Sequence, residues 1–108
     1  MAQNFRRYTS NAVGTSPAAV YTANSYDAIV GISLSNILGT AINVSCYIND
    51  GSNNIYLVKD APIPSGGSLQ ILDGGAKFVV QASDVLSVVS DTASSCDVWL
   101  SAVDEIST

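Results

Sequence analysis

The chain has no histidine, four basic residues, two cysteines, three prolines and a single tryptophan among 108 residues. Each scarcity excludes something. Without histidine, the commonest base for acid–base or nucleophilic catalysis is missing. Cys46 and Cys96 are 50 positions apart and lack the short ligand spacing of a zinc site. Charged residues make up only 12% of the chain and hydrophobic ones 47%, which excludes intrinsic disorder and a Glu/Lys-rich coiled coil. The net charge of -5 repels a phosphate backbone, so nucleic acid is not an expected partner. No apolar run approaches the ~20 residues that a spanning helix needs, and no membrane association is expected. The opening segment Met1–Asn11 has no apolar core of the secretory kind. The expectation is therefore a chain that is not exported, with both cysteines as buried free thiols. On that reading the sequon Asn43-Val44-Ser45 is without meaning.

What remains is β-strand texture. No segment places apolar residues at helical spacing between caps. Period-two alternation recurs instead, punctuated by Gly, Asn, Asp and Pro clusters. Strands are expected over Phe5–Val13, Ala18–Thr22, Ala28–Asn36, Ile42–Asn49, Ile55–Asp60, Ser68–Leu72, Lys77–Gln81, Val85–Ser90 and Cys96–Val103. Ile42, Val44, Cys46 and Ile48 alternate with polar residues most clearly. Val30, Ile32 and Leu34 are expected to form the inward set of the third strand, and Cys96, Val98, Leu100 and Ala102 that of the last. Asp50–Asn54 reads as a hairpin loop, because Asp-Gly and Asn tolerate positive φ. Ala61–Gly67 contains two prolines and cannot be a central strand; it reads as an extended crossover. Eight or nine short strands with regular turns predict an all-β fold, an antiparallel sandwich of jelly-roll type without substantial helix. The length fits one domain, residues 1–108, with residues 1–16 as an N-terminal strand or arm.

Catalytic equipment is sparse. Asp27, Asp50, Asp60, Asp73, Asp84, Asp91 and Asp97 all fall at strand ends or in turns, where an Asp bonds its local backbone. The Asp50–Asn54 loop offers oxygens to calcium but lacks the closing Glu of an EF-hand loop, so a plain turn is preferred. Gly66-Gly67 and Gly74-Gly75 precede no helix and read as positive-φ turns, not a phosphate cradle. Neither a catalytic residue, a metal site nor a cofactor is expected, and the chain reads as non-enzymatic. The aromatic residues are more informative. Alternation turns Tyr47 and Trp99 to the outer faces, where Trp99 beside small residues suits a subunit interface, a sugar-stacking platform, or a core position if that face is covered. Arg6 and Arg7 stand alone in their region. The chain after them carries -7, so this arm can dock on an acidic neighbour, including another copy, or simply remain solvated.

The run Tyr56-Leu57-Val58-Lys59-Asp60-Ala61-Pro62-Ile63-Pro64-Ser65-Gly66-Gly67-Ser68-Leu69 resembles small virion structural proteins of tailed bacteriophages, notably T4-like phages of marine cyanobacteria. The similarity extends over Val58–Pro64, Leu69–Leu72, Gly74-Gly75, Lys77–Val80, Asp84–Val88 and Ser95–Val103. Asn4-Phe5-Arg6 and Gly14-Thr15-Ser16 also match. Ala76 is inserted before Lys77, and Ser83 stands where the family usually has glycine; both departures fall in turns. The resemblance implies a virion component, assembled in the bacterial host cytoplasm, with no catalytic residues to transfer.

Together these readings predict a structural protein of a phage virion, as a decoration, fibre or tail component. Sheet faces and extended segments would join it to itself, as a trimer or dimer, and to other virion proteins. The expected interface residues are Arg6, Arg7, Tyr47, Trp99, Pro62 and Pro64. The alternative is a module that binds a carbohydrate or other host receptor from the particle surface.

Overall fold

The computed structural model describes residues 4–72 and 77–104. Among the described residues there are nine strands: β1 (Asn4–Val13), β2 (Ala18–Thr22), β3 (Asp27–Asn36), β4 (Ile42–Asn49), β5 (Asn54–Ile63), β6 (Ser68–Leu72), β7 (Phe78–Val80), β8 (Val85–Ser90) and β9 (Cys96–Asp104). They form two antiparallel sheets. One runs β1-β9-β3-β6, with β7 also paired to β3; the other runs β2-β8-β4-β5. β7 pairs with the Asp27–Ile29 end of β3 and β6 with its Ile32–Ser35 end. The chain thus passes repeatedly between sheets, and nearly every neighbouring pair is distant in sequence. This is the double-sheet winding of a jelly roll.

The inner faces meet in one core. Ile29, Ile32, Leu34, Val98 and Leu100 come from the first sheet, and Ile42, Val44, Cys46, Leu86 and Val88 from the second; all are buried. Each large aliphatic side chain contributes about 1.5–3 kcal/mol by leaving water. Alternation is what puts them there, because side chains of one strand point to opposite faces in turn.

Two expectations need correction. Val30 is not an inward residue: it is 37% exposed, while Ile29 is fully buried. The register explains this. Ile29 pairs with Ala102 and Gly31 with Ser101 on β9, with a shift between them. Val30 is the extra residue of a β-bulge, which reverses the alternation on either side of it.

The second correction concerns Ala61–Gly67. Its first three residues are not crossover but the continuation of β5, pairing Ala61, Pro62 and Ile63 with Val44, Asn43 and Ile42. Asp60, at φ 51, marks the irregularity that precedes them, and its N–H donates to Ser45 Oγ at 2.9 Å. β5 borders its sheet, where a proline leaves no ladder donor missing. The chain then turns sharply. Gly67 N–H donates to Pro64 O at 2.9 Å around Gly66, at φ 70. A Cβ on Gly67 would lie 2.9 Å from Pro64 Cγ, so this turn needs glycine at both positions. The expected turn at Asp73-Gly74-Gly75 and the inserted Ala76 lie outside the described residues.

Candidate functional site

The outer face of the β1-β9-β3 sheet is built from small polar residues around one large ring. Strand pairing sets Trp99 opposite Thr9 on one side and Ser33 on the other; Asp97 lies opposite Ser35, and Arg7 opposite Ser101. Residues directly opposed in antiparallel strands point the same way, so these side chains share one face. Trp99 is 53% exposed, as its alternation with buried Val98 and Leu100 predicts. The Arg7 guanidinium lies 5.6 Å from the centroid of its ring, within cation–π range.

Beside the indole is an open cleft of about 380 Å³, lined among others by Thr9, Asn11, Ser33, Ser35, Asp97 and Trp99. A bulge in β1 shapes its rim. The register slips between Ser10 and Val13, and Ala12 adopts a left-handed φ of 54°. Asp97 Oδ1 accepts the Ala12 N–H at 2.8 Å and so fixes the bulge. From β6, Gln70 Nε2 donates to Ser33 Oγ at 3.0 Å.

The six residues expected at an interface do not converge. Arg7 and Trp99 belong to this face. Tyr47 lies in the other sheet, where its ring is 5.1 Å from that of Tyr56, with Lys59 Nζ 4.9 Å above Tyr56. Pro62 and Pro64 lie exposed along the β5 side. Arg6 faces away from Arg7, and its Nε meets Asp104 Oδ2 at 2.6 Å. Adjacent arginines on a strand necessarily point to opposite faces, so the basic pair is divided between an internal ion pair and the outer surface.

The aspartates also differ from one another. Asp50 and Asp84 accept local backbone N–H groups, as expected of turn residues. Asp91 reaches Asn43 N–H on β4. Backbone donors hold Asp50 and Asp91 below the usual carboxylate range, led by Asn53 and Asn43 respectively. Asp27 is no turn residue of this kind. It is wholly buried and accepts the Tyr21 hydroxyl from the opposite sheet and Ser25 Oγ at 2.9 Å. Burial, reinforced by that bond to Asp27, raises the Tyr21 hydroxyl far above its ordinary value. Tyr8 stacks on Tyr21 at 4.5 Å and is raised by burial and by the charge of Asp104. Tyr21 and Asp27 are only six positions apart, but nothing local marks Asp27 as buried or turns Tyr21 toward it, so this polar cluster was not legible as one.

Cys46 and Cys96 are both buried free thiols. Burial pushes Cys46 up to about 12 and Cys96 up to about 11, so neither presents a thiolate nucleophile at neutral pH. Among the described residues no three His, Cys, Asp or Glu side chains group as metal ligands, and no helix is long and apolar enough to cross a membrane.

No family model matches the sequence, and no curated protein matches it either. Solved structures do resemble the fold. A chain from the acidic stable capsid structure of Helicobacter pylori bacteriophage KHP30 superimposes with a TM-score of 0.63 at 11% identity, covering 99% of this chain and 90% of that one. A chain from the Bacillus endospore appendages, described as a novel family of disulfide-linked pili, gives a TM-score of 0.52 at 17% identity, covering 98% of this chain and 88% of that one. At these identities the likeness is one of fold, shared with a chain of a phage capsid structure and with a chain of the endospore appendages.

Proposed function

We propose that the chain is a non-enzymatic structural subunit of a bacteriophage virion, assembled in the host cytoplasm, that joins copies of itself through its sheet faces and border strands. The observation that carries this reading is the correspondence with the phage capsid chain over nearly the whole length. The surface supports it. Phe5 on β1, Ile55 and Tyr56 on β5, and Val79 on β7 are exposed apolar residues on or beside the sheet borders. A long border strand with exposed apolar side chains is a template for pairing with another chain. Arg7 on β1 supplies the positive charge for an acidic neighbour. The specific kinship with T4-like cyanophage proteins, and a place as decoration, fibre or tail component, belong to the same proposal.

Native mass spectrometry and light scattering over a range of concentrations test it. The expected species is a closed dimer or trimer, and Ile55→Lys should dissociate it by placing charge on the β5 border. A monomer at every concentration overturns the proposal. A second reading, a carbohydrate- or host-receptor-binding module on the particle, is favoured by the cleft beside Trp99.

A further inference from the structure

We infer that the Trp99 cleft is a binding site for an uncharged pyranose, with the sugar's C–H face against the indole and its hydroxyls meeting Asp97, Asn11 and the β3 serines. This rests on the second reading above and assigns it a place and a ligand chemistry.

The lining selects the ligand. Asp97 is the one formal charge in the lining, and it is negative; Arg7, held over the indole, brings a positive charge nearby but outside it. An anion therefore finds no excess of positive charge. The lining is mixed: Trp99 and Val98 offer apolar surface, and Thr9, Asn11, Ser33, Ser35 and Asp97 set polar groups beside it, so a wholly apolar ligand would leave those groups facing it unpaired. A molecule that suits both surfaces needs one flat apolar side and a rim of hydroxyls, which describes a pyranose ring. A volume of about 380 Å³ falls at the small end of ligand pockets and suits one or two rings.

Donors and acceptors are suitably disposed. Asp97 Oδ1 is engaged by Ala12 N–H, and the same carboxylate retains Oδ2 to accept from a sugar hydroxyl. Ser33 Oγ accepts from Gln70, leaving its own proton to donate. The serines have short side chains and little rotamer freedom to lose. The bulge at Ala12, tied by Asp97, holds Asn11 at the rim without help from a ligand, and a preformed site lowers the ordering cost of binding.

Trp99 is the only tryptophan, so its emission reports on this cleft alone. The full-length protein should be titrated with methyl β-glucopyranoside, lactose and diacetylchitobiose, with sodium phosphate and benzoate as charged and apolar controls. At least one sugar should shift the emission saturably in the millimolar range, and the controls should not. Asp97→Asn keeps an acceptor for Ala12 and should weaken that response by roughly tenfold or more, equivalent to about 1.4 kcal/mol. Trp99→Ala should abolish sugar binding in saturation-transfer NMR while the protein stays folded by circular dichroism. No saturable sugar response, an equal response to the controls, or an unchanged response in Asp97→Asn overturns the inference. Light scattering on the same samples separates it from the assembly proposal. An oligomer in which Trp99 is shielded and silent to sugar overturns the cleft and leaves assembly standing, whereas a monomer that binds sugar does the reverse.

Discussion

Arg6 Nε lies 2.6 Å from Asp104 Oδ2, joining the start of the first strand to the end of the last. The two side chains are diagonal neighbours, since Arg6 pairs directly with Ala102. The environments are unequal: the Asp104 side chain is 5% exposed and that of Arg6 56%. Arg6 brings a counter-charge to a carboxylate that has left water. Asp104 Oδ1 finds no hydrogen-bond partner among the described residues; the Tyr8 hydroxyl also lies within reach of this carboxylate, and Arg6 is the cation that balances its charge.

Arg6→Met should therefore destabilise the fold by about 1–3 kcal/mol, less than for a fully buried pair because the arginine itself is half in water. Adding Asp104→Asn in that background should recover part of the loss, because a neutral amide tolerates burial better than an unpaired charge. Urea midpoints of the single and double variants give the coupling; fully additive losses would show that the pair is not coupled.

Tyr21→Phe removes the hydroxyl that Asp27 accepts across the sandwich and should cost roughly 1–3 kcal/mol, as expected when a buried acceptor loses a donor. Phe keeps the ring stacked on Tyr8. A loss within the error of the denaturation curve would mean that Asp27 is satisfied without Tyr21.

Alkali should weaken the fold before acid chemistry at these groups matters. Tyr21 is raised in the folded protein, and Cys46 and Cys96 are pushed up to about 12 and about 11. The unfolded chain releases protons from these groups at lower pH, from about 8.5 for thiols and about 10 for tyrosine. Their contribution is thus complete below those values and is lost as pH rises toward the folded ones. The slope is roughly 1.4 kcal/mol per pH unit for each group in its window. Urea midpoints should fall steadily above about pH 9, and Cys46→Ala should reduce that slope even though the cavity lowers stability throughout. A midpoint independent of pH from 8 to about 11 would contradict this sign.

Asn36 ties together two loops at the far end of β3. Its Nδ2 donates to Thr40 O at 2.8 Å, Ile63 O at 3.1 Å and Pro64 O at 3.2 Å, and its Oδ1 accepts Leu38 N–H at 2.8 Å. Asn36→Ala leaves several buried backbone groups without partners and should cost about 2–4 kcal/mol. Hydrogen exchange should locate the loss around residues 36–40 and 63–67; a uniform change over the molecule would argue against a local clamp.

Trp99 and Leu100 are adjacent and should behave oppositely. Trp99→Ala removes an exposed ring and should change the stability of the isolated subunit by about 0.5 kcal/mol or less. Leu100→Ala empties a fully buried position and should cost about 2–5 kcal/mol. Comparable losses would place the indole inside a packed interface even in the isolated chain.

Strand positions were readable because both of their signals are local. Ala18–Thr22, Ser68–Leu72 and Val85–Ser90 have the bounds that alternation and turn residues indicate. Alternation also turned Trp99 outward and both cysteines inward. It failed at Val30, where a bulge opposite β9 reverses the faces; the crossover reading around Pro62 failed for another reason, since a border position makes a proline acceptable within a strand. Of the candidate site, Trp99 and Arg7 were legible as an exposed aromatic and a cation. Asn11, Ser33, Ser35 and Asp97 were not, because they meet only after β1, β9 and β3 align.

The sequence by itself determined that this is a two-faced β protein with buried thiols and little charge, since side-chain period and turn chemistry act over a few residues. Tertiary structure alone decided the jelly-roll order of the strands, the ion pair of Arg6 with Asp104 and the cleft beside Trp99. Those features depend on which distant strand lies alongside, and in what register, so they arise from packing between segments that carry no local record of each other.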